Sequence, residues 1–68
     1  MWYVHYKTGG AAGMLMASTL PLAIKNACEL LDQNADVFQI EDKAGLRALN
    51  AAEIRRACAE RKARKALH

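Results

Sequence analysis

Residues 2–7 read Trp2-Tyr3-Val4-His5-Tyr6-Lys7, a run of aromatic and β-branched side chains that predicts a strand. Alternation puts Trp2, Val4 and Tyr6 on one face and Tyr3, His5 and Lys7 on the other. Thr8 to Gly13 holds three glycines and predicts a loop, after which Met14 to Ser18 returns as a second strand. Ser18 or Thr19 then opens a helix with Pro21 in its first turn. Leu20, Ile24, Ala27 and Leu31 recur at helical spacing, and Asn34 is placed to stop the helix in a left-handed conformation.

The second half repeats the plan. Val37-Phe38-Gln39-Ile40-Glu41 alternates and predicts a third strand, with Phe38 and Ile40 facing one way and Val37, Gln39 and Glu41 the other. Asp42 to Gly45 is a turn, and Leu46 to Leu49 a short fourth strand. Asn50 followed three residues later by Glu53 has capping-box spacing and opens a second helix through Ile54, Ala57 and Cys58. Beyond it Arg61 and Lys65 replace the apolar stripe, so about residues 60–68 are expected to project past the core or fray as a basic tail. The expectation is an α+β fold: ββαββα, a four-stranded, mostly antiparallel sheet with two helices on one face, formed by residues 1–68 as a single domain. A right-handed crossover gives strand order 2-1-3-4 and leaves the other sheet face open.

The aromatic opening, the glycine-rich hairpin, the segment VFQIEDKAGLRALN and the helix start NAAEIRRAC resemble short uncharacterised bacterial proteins of this hairpin–helix–hairpin–helix type, such as those of alphaproteobacteria. The resemblance covers nearly the whole chain and implies a fold without implying site residues.

Sixty-eight residues allow one core and no separate substrate domain. Fourteen are alanines, so the core is small, and oligomerisation is a common supplement to so small a core. Charge is segregated. Residues 1–54 carry a net −2, whereas residues 55–68 set Arg55, Arg56, Arg61, Lys62, Arg64 and Lys65 against Glu60, a net +5. No basic region followed by a long apolar run marks a leader, and the Gly9 to Ile24 stretch is too interrupted to cross a membrane. Cys28 and Cys58 make no disulfide framework, so free thiols buried as small core residues in a reducing cytoplasm are expected.

Catalytic signatures are missing. The glycine loop lacks the phosphate-cradling pattern, and His5, Cys28, Cys58 and His68 include no close ligand pair for a metal. A Cys–His pair involving His5 has no local motif behind it. The expectation is therefore a non-enzymatic module without a cofactor or metal. Tyr3, His5 and Val37, with Leu15 beside them, are the candidate protein-interface residues on the open sheet face, and the partner is a protein or a second copy of the chain. The alternative is nucleic-acid binding, with Arg55, Arg56, Arg61, Lys62, Arg64 and Lys65 holding phosphate and the sheet aromatics stacking bases.

Overall fold

Strand β1 (Trp2–Thr8) turns into β2 (Ala11–Ala17) through Gly9 and Gly10 alone. Both glycines have positive φ, 57° and 84°, the pairing a two-residue turn of primed type requires. The loop is thus shorter than the three glycines suggest. Gly13 belongs to β2, opposite Tyr6. The structure is a computed structural model describing residues 1–44 and 48–66, with the backbone alone described at 65 and 66.

Helix α1 (Leu20–Asp32) begins at Thr19, whose Oγ1 accepts from the Leu22 N–H at 3.2 Å. It ends in a Schellman motif. Asn34 sits at φ 65°, its N–H reaches the Leu31 carbonyl (3.0 Å), and the Ala35 N–H reaches that of Leu30 (2.9 Å). Strand β3 (Asp36–Asp42) follows. The expected turn reaches Lys43, whose N–H donates to the Met1 carbonyl at 3.0 Å, while Gly45 and the start expected for the fourth strand lie outside the described residues. Strand β4 (Ala48–Asn50) is short. Helix α2 (Ala51–Ala66) opens with a reciprocal capping box: the Glu53 N–H donates to Asn50 Oδ1 (2.9 Å) and the Asn50 N–H to Glu53 Oε1 (3.2 Å). It stays helical to Ala66.

All three strand pairings are antiparallel, in the order β2-β1-β3-β4. Val4, Ala17, Val37 and Ile40 of the sheet join Ala23, Ala27, Ile54 and Cys58 of the helices in one buried cluster, so both helices cover the same face. Among the described residues only Ile40, Ile54, Val4 and Val37 are large and fully buried.

Two expectations are corrected. Val37 is not on the open face. A bulge in β3 lets His5 pair with Gln39 and Tyr6 with Val37, skipping Phe38. The inserted residue shifts the alternation by one, burying Val37 together with Ile40 and turning Phe38 outward. The second correction concerns the cysteines. Cys28 on α1 and Cys58 on α2 are joined as a disulfide with Cα atoms 5.5 Å apart, so neither is a free thiol. The helices lie side by side on the sheet and bring the edges of their apolar stripes together, which a sequence separation of 30 does not reveal.

Candidate functional site

The uncovered sheet face is built from the odd residues of β1 and their cross-strand partners. Tyr3 pairs with Met16 of β2 and Glu41 of β3, and His5 with Met14 and Gln39. Directly opposed residues share a face, so Tyr3, His5, Met14, Met16, Gln39 and Glu41 lie together, with Phe38 beside them through the bulge. His5 Nε2 lies 2.8 Å from Glu41 Oε1, and Gln39 Nε2 donates to Glu41 Oε2 at 3.1 Å. The Phe38 ring lies 6.1 Å from the His5 ring, tilted by 33°. The face is therefore a short polar row whose members satisfy one another, flanked by apolar side chains. Met14 is 49% exposed, Met16 63% and Phe38 40%.

Of the candidate interface residues, Tyr3 and His5 lie on this face, half-buried, and Val37 lies beneath it in the core. Leu15 pairs with Val4 and belongs to the helix-covered side at the sheet margin. Met14, Met16 and Phe38 complete the patch. The methionines were legible in principle, as alternate residues of an uncharged strand beside Tyr3 and His5. Phe38 was hidden by the bulge.

The basic candidates lie elsewhere. Arg55, Arg56, Arg61, Lys62 and Arg64 belong to α2, on the opposite side of the sheet from Tyr3 and His5. Arg61 is half-buried, and Lys62 Nζ lies 3.1 Å from Asp32 Oδ1. Lys65 is in the same helix, its side chain outside the described residues, as is His68. The sheet thus separates Tyr3 and His5 from the phosphate-binding candidates. It also separates His5 from the cysteines between the helices, so the Cys–His pairing is not assembled.

An open groove of about 450 Å³ runs between the helices and the β4 side of the sheet. Trp2, Leu20, Ile24, Leu49 and Ala57 line it, with Glu53, Arg56 and Glu60 also at its walls. Its volume lies within the range of small-molecule sites, but Glu53 is engaged in capping α2. Among the described residues no cluster of three metal-ligating side chains occurs, and no helix is long and apolar enough to cross a membrane. Comparison with protein-family models, with curated proteins and with solved structures finds no match to this chain.

Proposed function

We propose that the chain is a small non-enzymatic association module, bacterial as its resemblance implies, that takes up a second copy of itself through the uncovered sheet face. The observation that carries this reading is the exposure of Met14, Met16 and Phe38 around the internally paired His5–Glu41–Gln39 row. Apolar side chains gathered on one face of a protein with so small a core gain most by leaving water together. Association across the polar row is partly compensated because both Glu41 carboxylate oxygens already have partners within the chain. The expectation of a reducing cytoplasm rested on unpaired thiols; the bond between Cys28 and Cys58 favours a compartment in which disulfides persist.

Sedimentation velocity across a concentration series tests the reading. Dimers are expected to form with concentration and to persist in high salt, because apolar burial is not screened. Met16→Glu should weaken them. A monomer at every concentration would overturn the reading. A mixed RNA and DNA pool is the counter-probe. Binding that falls steeply with salt would replace self-association by phosphate binding along α2.

A further inference from the structure

We infer that the second copy is joined edge to edge, β2 against β2 in antiparallel register with Met14 opposite Met14 of the other copy, so that two four-stranded sheets become one of eight strands. The inference rests on the self-association reading for its partner, a second copy of the chain, and places the contact at the sheet's edge instead of across its face. Strand β2 ends the sheet order, and no described segment pairs with its outer edge. Such edges invite pairing, and proteins blunt them with charge, proline, bulges or brevity. The opposite edge, β4, is three residues long. Strand β2 has seven residues, Ala-Ala-Gly-Met-Leu-Met-Ala, without charge or proline, and its register on β1 runs unbroken from Ala11 to Ala17.

The hairpin dictates which groups point outward. A two-residue turn is closed by the pair Thr8 and Ala11, which faces inward for hydrogen bonding. Strict alternation then turns the N–H and C=O groups of Ala12, Met14 and Met16 away from β1. A two-fold pairing about Met14 sets these same residues against one another, Met14 on its own copy and Ala12 on Met16. All three outward-facing residues of each strand are then paired with the other copy, and both uncovered faces stay on one side. Shifting the pairing by one residue would set outward-facing residues against inward-facing ones. Shifting it by two would leave part of the strand without a partner.

Side-chain size and charge fit the same register. Ala12 opposes Met16 on the open face, and Gly13 opposes Leu15 on the other, small against large each time. Leu15, 36% exposed at the sheet margin, gains a neighbour there. No like charges meet across the two-fold axis, because β2 has none. The small-against-large matching arises from the strand's own sequence about the two-fold axis, which favours a second copy as the occupant.

Charge placed at the axis tests the geometry. Met14→Lys and Met14→Glu proteins should each dimerise more weakly than wild type, by roughly tenfold or more, since like charges would face each other directly. Mixed in equal amounts, they should form a heterodimer. Amide exchange on the wild type provides the second readout and needs no substitution. The N–H groups of Ala12, Met14 and Met16 should gain protection as concentration rises. Dimers whose β2 amides exchange freely at all concentrations, or a Lys and Glu mixture that stays monomeric, would overturn edge pairing and leave association through the open face standing. A wild-type monomer throughout would overturn both.

Discussion

Gly13 is glycine because Tyr6 lies across it. A Cβ built at position 13 would come 2.5 Å from Tyr6 Cζ and 2.6 Å from its hydroxyl, closer than any real contact. The tyrosine ring leans over the cross-strand glycine and covers backbone that a side chain would otherwise cover. Gly13→Ala is therefore expected to destabilise by about 0.5–1.5 kcal/mol, the cost of driving the Tyr6 ring from its rotamer. Replacing Tyr6 by leucine in the same chain should recover part of that loss, because the two changes share one contact. Urea denaturation of the single and double variants measures both effects. An alanine at 13 that leaves the midpoint unchanged would contradict the close approach. The sequence suggested a loop at Gly13, because three glycines in six residues read as one flexible segment. Of these three, Gly9 and Gly10 use positive φ and Gly13 does not.

At the scale of elements, most of the fold was legible. Strand β1 and both helix starts follow from residue type and cap chemistry, which are local: Thr19 before Pro21, Asn50 before Glu53. Their order and the crossover then restrict the sheet to few arrangements. Interactions across the chain were not legible. The disulfide depends on how two apolar stripes come to lie side by side, and no local motif encodes that. Its contribution is substantial for a domain of this size. Closing a loop between residues 30 apart in sequence is worth about 3–4 kcal/mol in the chain-entropy account. Reduction should lower the melting temperature by roughly 12–32 °C, at about 4–8 °C per kcal/mol for so short a chain. Melting with and without reductant, with reduction confirmed by mass, checks it. Coincident curves would show that helix packing stands without the bond.

The whole molecule is two-sided. One side of the sheet carries α1, α2 and the basic residues expected to bind phosphate; the other carries methionine and aromatic side chains around a closed polar row. Sequence reasoning placed both helices on one face and Tyr3 and His5 on the other, which already sets the aromatics of the open face apart from the basic helix. Tyr3 and the arginines are compatible partners on paper, but α2 packs against β3 and β4 from the covered side. Charge and apolar contact are thus expected to be separately tunable. Arg55→Ala with Arg56→Ala should leave self-association within about twofold, as for exposed changes distant from a contact, and sedimentation of the double variant would decide it. A dimer lost with those arginines would place α2 in the interface.

The bulge at Phe38 makes that residue supernumerary. Remove it, and Val37 still meets Tyr6, Gln39 still meets His5, and inside and outside alternate without interruption along β3. The chain spells a complete ladder in 67 letters and carries one more. A deletion that ordinarily scrambles a strand should here be tolerated, with stability within about 1 kcal/mol of the full chain. What the deletion removes is a ring that touches the fold through His5 and otherwise adds apolar surface to the open face.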